Sequence, residues 1–256
     1  MTLCATDLMF AFGGREILRD IGLSFEPGRV TAVLGVNGAG KSTLLRGLGG
    51  LLRPARGRVT LGGRDLASLS RREAARRIAY VPQAQRPESL TVFEAVLLGR
   101  RPHMGFSPSR RDLAAVESGL RSLGLEGLAF CRLDSLSGGE LQKTAMARAL
   151  VQEPEVLLLD EPTASLDLKN TVDVCSIVRR AAESRGLTAV VVLHDLSQAL
   201  RFADGFVLLR HGRVHAVLGR DGLTPEVVRQ VYGVNVAFGT VGGHPVVMPL
   251  DAADAA

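Results

Sequence analysis

Cysteine is scarce in this 256-residue chain: Cys4, Cys131 and Cys175 stand far apart and share no C-x-x-C spacing. A disulfide framework or thiolate metal site is not expected to organise it, and the three are expected to be free, buried or inert thiols. No stretch approaches the roughly 18 uninterrupted apolar residues of a membrane-spanning helix, and Met1-Thr2-Leu3-Cys4 opens no basic-then-apolar leader. A cytoplasmic chain is expected. Sustained heptads are missing, so no long coiled coil interrupts it, and its His and Cys residues form no ligand cluster in the sequence. The length supplies ample material for a core, as one large domain or two small ones. A net charge of +5 suits nucleic acid, an anionic membrane face or a polyphosphate, and composition does not choose among them. The densest basic run, Arg71-Arg72 to Arg76-Arg77, follows Ser70-x-x-Glu73, a capping box, and reads as a solvated helix face.

What is present is one strong motif. Gly35-Val36-Asn37-Gly38-Ala39-Gly40-Lys41-Ser42-Thr43 fits G-x-x-x-x-G-K-[ST]. The preceding Val30-Thr31-Ala32-Val33-Leu34 is short and β-branched and reads as a buried strand; Thr43-Leu44-Leu45 begins a helical stretch. Glycine at 38 and 40 lets backbone N–H groups turn inward on phosphate oxygens at the positive end of the new helix. Lys41 would then reach the β- and γ-phosphates of a nucleoside triphosphate, and Ser42 a Mg²⁺ ion.

Around this motif, residues 3 to 30 alternate short apolar runs with Gly13-Gly14 and Pro27-Gly28, which predicts antiparallel strands. Phe12, before the first turn, has two readings, a core aromatic or a face for a purine ring. Residues 57 to 63 read as a hairpin strand, and Ile78-Ala79-Tyr80-Val81 as a strand closed by Pro82. Gln83 is then a turn residue or an oxygen ligand for a metal ion or its water. From Arg86 to Leu128 the pattern turns helical: Thr91-x-x-Glu94 caps Val92 to Leu98, and Asp112 to Leu123 has helical spacing. Ser137-Gly138-Gly139-Glu140 is a capping box whose glycines also bare N–H groups for an anion.

Val156 to Glu161 is an apolar strand ending in two carboxylates. Beside a phosphate loop, Asp160 can hold Mg²⁺ directly or through water, and Glu161 can polarise the attacking water. Thr188 to Leu193 is another buried strand, which delivers His194 either as a structural residue or as a γ-phosphate contact. Two short strands, Phe206 to Leu209 and Val214 to Val217, precede a tail with a helix near Pro225 to Tyr232.

Taken together, Phe12, the phosphate loop, Gln83, Leu136-Ser137-Gly138-Gly139-Glu140, Leu159-Asp160-Glu161, Ser165-Leu166-Asp167 and His194 resemble, in order and spacing, the ATP-binding subunit of an ABC transporter. The likeness runs from residue 3 to about 218. It implies an α/β fold: a P-loop NTPase core of mostly parallel sheet with flanking helices, an N-terminal antiparallel β subdomain and a helical insert. One domain over 1–256 is expected, with the insert at about 86–150 and a short tail at about 219–256. By resemblance Phe12 stacks on adenine, Gly35, Asn37, Gly38, Ala39, Gly40, Lys41, Ser42 and Thr43 hold the phosphates, and Gln83 is the Q-loop. Ser137 to Gln142 is the signature, of which Ser137, Gly138 and Gly139 bind nucleotide, Glu161 is the catalytic base, Asp167 the D-loop and His194 the switch histidine. Ser42, Gln83 and Asp160 serve Mg²⁺. Phe12 replaces the commoner Tyr, and Ala39 a frequent Ser.

Thr91 to Arg100 with Pro102-His103, Leu193-His194-Asp195-Leu196 and Leu166 to Asn170 look most like importers of the iron-siderophore, haem and cobalamin type. The resemblance implies a second copy of the chain, integral membrane permease subunits and, through them, a substrate-binding protein as partners, with the chain peripheral on the inner membrane face. No nucleic acid is expected. A soluble ABC-type ATPase of cluster assembly or nucleic-acid work is the competing reading, and cargo is not readable from this chain.

Overall fold

The computed structural model of the chain describes residues 1–83, 89–164 and 166–252. The chain opens with a hairpin, β1 (Leu3–Phe12) and β2 (Arg15–Phe25), then β3 (Val30–Leu34) and α1 (Lys41–Leu48). Next come β4 (Arg56–Leu61), β5 (Arg64–Asp65), α2 (Arg71–Arg77) and β6 (Ile78–Val81). Helices α3 (Val92–Leu98), α4 (Arg110–Ser122) and α5 (Gly138–Val151) follow, then β7 (Val156–Asp160), α6 (Leu168–Arg185), β8 (Thr188–Val192) and α7 (Leu196–Phe202). The chain continues through β9 (Gly205–Arg210), β10 (Arg213–Gly219), α8 (Pro225–Tyr232) and a hairpin of β11 (Val234–Val241) and β12 (His244–Ala252).

The apolar runs decide the centre. β7 and β8 are buried at every residue, as near-continuous apolar strands of a parallel sheet must be when both faces are covered. They lie inside a six-stranded sheet ordered β10-β9-β3-β8-β7-β6, in which only β10 runs antiparallel. Alternation along the strands feeds two cores. Leu158, Val190, Val192 and Val33 face α1 and the antiparallel sheet β2-β1-β4-β5, where Phe10 and Leu44 also lie. Leu157, Leu159, Val191 and Ala32 face the opposite layer of helices. The expected core and N-terminal β subdomain are therefore present.

Helices α3 and α4 pack on α5. Arg100, just past α3, is 2% exposed and ties the three together: its Nε donates to Asp112 Oδ1 (3.0 Å) and its guanidinium to Val151 O (2.6 Å), with Glu153 at 3.1 Å. Asp112 also accepts from the Ser109 hydroxyl (2.6 Å) and backbone N–H (3.0 Å). These bonds to Ser109, with Arg100 adding to them, hold its carboxyl down at about 2, against 3.8. A depressed acid stabilises the fold above its unfolded value, and that contribution is lost as pH falls from about 4 towards 2. Asp112→Asn is expected to lose on the order of 2 kcal/mol at neutral pH and to show a flatter acid limb. Urea unfolding of both proteins from pH 6 to 2.5 checks this; parallel curves would contradict it.

Two boundaries differ from the sequence reading. The helix expected from Asp112 starts at Arg110 and is capped by Ser109, with Asp112 as the returning partner of the box. The tail holds more than a helix: β11 and β12 pair over most of their length.

Candidate nucleotide site

The site forms at the carboxyl ends of parallel strands, where open α/β sheets place ligands. Beyond Leu34 the chain leaves the sheet at Gly35, whose φ is +144° and whose absent Cβ would lie 2.3 Å from Leu209 O. No other residue fits there. Gly40, at φ +98°, caps α1, and a Cβ on it would meet the Leu18 side chain at 2.5 Å. The loop is thus wedged between β9 and β2. Ala39 is buried and its N–H donates to Val36 O (3.2 Å), whereas Asn37 and Gly38 are exposed, and a Cβ on Gly38 would meet nothing within 4 Å. That exposed backbone at the start of α1 leaves room for a phosphate group.

Lys41 opens α1 and is only 6% exposed. Its Nζ donates to Gly35 O (2.7 Å) and Val36 O (3.0 Å). Burial lowers its pKa, while Glu161 and Asp160 pull it back up. Ser42 Oγ donates to Asp160 Oδ1 (2.9 Å), and Tyr80 OH to Asp160 Oδ2 (3.0 Å). Arg46 Nε donates in turn to Tyr80 OH (3.4 Å). Burial raises the Tyr80 pKa, so its hydroxyl keeps the proton it gives to Asp160. Thr43 is half-buried on the first turn of α1.

Glu161, the residue after β7, stands at φ +50°, a left-handed backbone state that Asp7, Asp20, Glu153 and His211 also adopt. Its two oxygens are held separately. Gln83 Nε2 donates to Oε2 (2.5 Å), and His194 Nε2 lies 2.5 Å from Oε1. Adjacent strands β6, β7 and β8 bring these three together. The carboxylate is 13% exposed and the imidazole 47%. So fixed, the carboxylate can accept a proton from a water at the strand end. The oxygens of Ser42 and Asp160, 2.9 Å apart, are a hard-oxygen donor pair that fits Mg²⁺ better than a softer metal.

The remaining expected residues gather elsewhere. Ser137 caps α5: its N–H and hydroxyl both donate to Glu140 Oε2, at 2.8 and 2.6 Å. Asp167 caps α6 and accepts from Asn170 N (2.7 Å) and Nδ2 (3.0 Å). The Asn170 amide also fills the space beside Gly139, 2.3 Å from where a Cβ would be. Gly138 is exposed. The two helix starts meet each other, and among the described residues no hydrogen bond joins them to residues 35–43. Ser165 lies outside the described residues. Phe12, at the tip of the first hairpin, is 51% exposed.

Two residues the motif reading passed over touch the loop region. The chain has only two tyrosines; Tyr80 bonds Asp160, and the hydroxyl of Tyr232, on α8, accepts the N–H of Gly35 at 2.9 Å. Their rarity was the available signal.

A phosphate cradle between strand and helix, set beside an acid-ended strand, defines a P-loop NTPase. Within that class, the ABC transporter family profile matches residues 18–164, more than half of the chain. The chain is 44% identical over 250 residues to an uncharacterized ABC transporter ATP-binding protein of Methanocaldococcus jannaschii, covering 98% of each. It is 43% identical over 245 residues to a hemin import ATP-binding protein of Pseudomonas putida, covering 92% of this chain and 95% of that one. A solved chain from a transporter described as of metal-chelate type, in an inward-facing conformation, superposes with a TM-score of 0.84 at 28% identity, covering 99% of this chain and 98% of that one. The chain belongs to the ABC transporter ATP-binding family and is an ATP-hydrolysing enzyme. Among the described residues no helix is long and apolar enough to cross a membrane.

Proposed function

We propose that this ATPase energises import of a metal chelate of the iron-siderophore, haem or cobalamin type, working as a pair of copies on the cytoplasmic face of integral permease subunits fed by a substrate-binding protein. The observation that carries the enzymatic part is Glu161 clasped between Gln83 and His194 at the end of β7. In this reading Glu161 is the general base, His194 orients it and reports on the γ-phosphate, and residues 35–43 hold the phosphates, with Phe12 against adenine. Ser42, Gln83 and Asp160 hold Mg²⁺, which when bound neutralises charge on the β- and γ-phosphate oxygens. The whole of 1–256 is one ATP-binding domain, with its helical insert at about 86–150 and its tail at about 219–256. The cargo follows the hemin importer and metal-chelate transporter it resembles.

Pairing is supported by the exposed starts of α5 and α6. Ser137, Gly138 and Asp167 are exposed there, and Leu168 beside them is 89% exposed, an apolar side chain left to solvent next to an anion-ready helix start. A two-fold partner would bring that face onto its own nucleotide.

The surface for the membrane subunit is placed between about Gln83 and His103, of which residues 84–88 lie outside the described chain. Phe93 packs against the helical core and stacks on Phe130, ring centroids 6.4 Å apart; Phe130 itself is 84% exposed. Asp at 93 would disturb the core, so Phe130→Asp is the cleaner test. It is expected to cut co-purification with the permease at least several-fold while the isolated chain still hydrolyses ATP. Proteoliposomes carrying the complex should take up haem, a ferric siderophore or cobalamin only with ATP. Undiminished co-purification would remove the surface, and a chain that captures no membrane protein would favour the soluble ATPase.

A further inference from the structure

The tail reaches the nucleotide site through one hydroxyl. Helix α8 is capped by Thr224, starts at Pro225 and buries Val228 and Val231 against the helix-side core, next to β9. This fixes Tyr232, in its last turn, so that the phenol oxygen lies 2.9 Å from the Gly35 nitrogen. Beyond it, Val236 is buried, and β12 returns to donate Val247 N–H to Ser197 Oγ of α7 (2.9 Å), three residues after His194. One C-terminal segment therefore touches both the first residue of the phosphate loop and the helix that follows the histidine.

Gly35 is an unusual acceptor of such help. It lies just past the last residue of β3 paired with β9, Leu34, and is buried, so its N–H has neither a ladder partner nor open water. Its carbonyl holds Lys41 Nζ at 2.7 Å, and Leu209 O stands where a side chain would be. The result is a relay from Tyr232 through one residue, Gly35, to the phosphate-binding lysine. Burial pushes the Tyr232 hydroxyl up to about 12, so it accepts the Gly35 N–H as a neutral phenol.

We infer that Tyr232 is a positioning residue for ATP: by accepting the Gly35 N–H, the C-terminal helix holds the phosphate loop in its binding-competent path. The inference rests on the reading of residues 35–43 as the phosphate loop. Without the bond the buried N–H is unpaired, the loop samples more conformations, and apparent affinity falls by the fraction that remains competent. One neutral hydrogen bond corresponds to about a 2- to 10-fold effect.

Tyr232→Phe keeps the ring and removes only the oxygen. It is expected to raise KM for ATP by about 3- to 10-fold with kcat within about twofold of the parent, and to speed amide exchange in peptides spanning 30–41 but not in β7. A purely packing role would leave both unmoved, because the ring remains. In the unmodified chain, ADP with Mg²⁺ should slow exchange in 30–41 and also in 225–232, a measurement that needs no variant to fold. If ADP protects 30–41 but leaves 225–232 unchanged, or if Tyr232→Phe matches the parent in KM and exchange, the positioning role is overturned while the phosphate loop stands. If ADP fails to protect 30–41, the loop reading itself falls.

Discussion

Glu161→Gln is expected to lower steady-state ATP turnover by about 10²–10⁴-fold, the usual contribution of a positioned general base, while ATP binding survives. The substitution is nearly isosteric. One amide position can still accept from Gln83 Nε2, and the other can meet His194 Nε2 after a change of tautomer, so the clasp at 2.5 Å on either side has a replacement. What is lost is the capacity to take a proton from water. With hydrolysis stalled, ATP should accumulate between two copies, its phosphates on residues 35–43 of one and the Ser137 helix start of the other. Light scattering with ATP and Mg²⁺ should then report a dimer for Glu161→Gln and a monomer for the same protein with Ser137→Arg. Ser137→Ala is the control, since it removes the cap on Glu140 at a cost of about 1 kcal/mol without blocking the face. A Glu161→Gln protein that binds ATP yet stays monomeric at high concentration would leave pairing to the membrane subunits. Unchanged turnover would sink the assignment of Glu161.

The difference between what was and was not legible in the sequence is one of range. Residues 35–43 could be read because their constraint is local: only glycine tolerates φ +144° at Gly35 and +98° at Gly40, and the Lys-Ser pair follows at fixed offset. The apolar runs of β3, β7 and β8 were legible for the same reason. Ser109 escaped because its returning partner is Asp112 rather than the longer Glu of the usual box. The terminal hairpin escaped despite Gly242-Gly243, a turn with φ of +57° and +78°, because Pro245 and Pro249 argue against a strand. In a two-stranded sheet each strand keeps a free edge, so prolines are tolerated. The clasp on Glu161 depends on β6, β7 and β8 lying side by side, and nothing local encodes strand order; there the resemblance to a family supplied the residues. Tyr232 and Gly35 are 197 residues apart, and no periodicity or motif joins them.

Lys41→Met is expected to fail at an earlier step than Glu161→Gln, with ATP affinity falling by about 10- to 100-fold, the range of a charge-assisted hydrogen bond. The nucleotide-free fold should not suffer in proportion. Lys41 is buried, and that burial already lowers its pKa, so the ammonium is held in the folded chain against a desolvation penalty that a thioether of similar length does not incur. Against this gain stands the loss of two hydrogen bonds, to Gly35 O and Val36 O, each worth about 1 kcal/mol net. The two effects oppose each other, so the unfolding midpoint without nucleotide is expected to stay within a few degrees of the parent. The midpoint with ATP and Mg²⁺ is where the proteins should part. Ligand stabilisation grows with the logarithm of concentration over Kd, reaching about 2.7 kcal/mol at a hundredfold excess. At a concentration that raises the parent midpoint by several degrees, Lys41→Met should show almost no rise, whereas Glu161→Gln should show at least the parent's. Thermal scans of the three proteins over an ATP series read this directly. A Lys41→Met protein with the parent's ATP-dependent rise would remove Lys41 from the phosphate contacts, and one unfolded before nucleotide is added would show that its carbonyl bonds outweigh the cost of burying the charge.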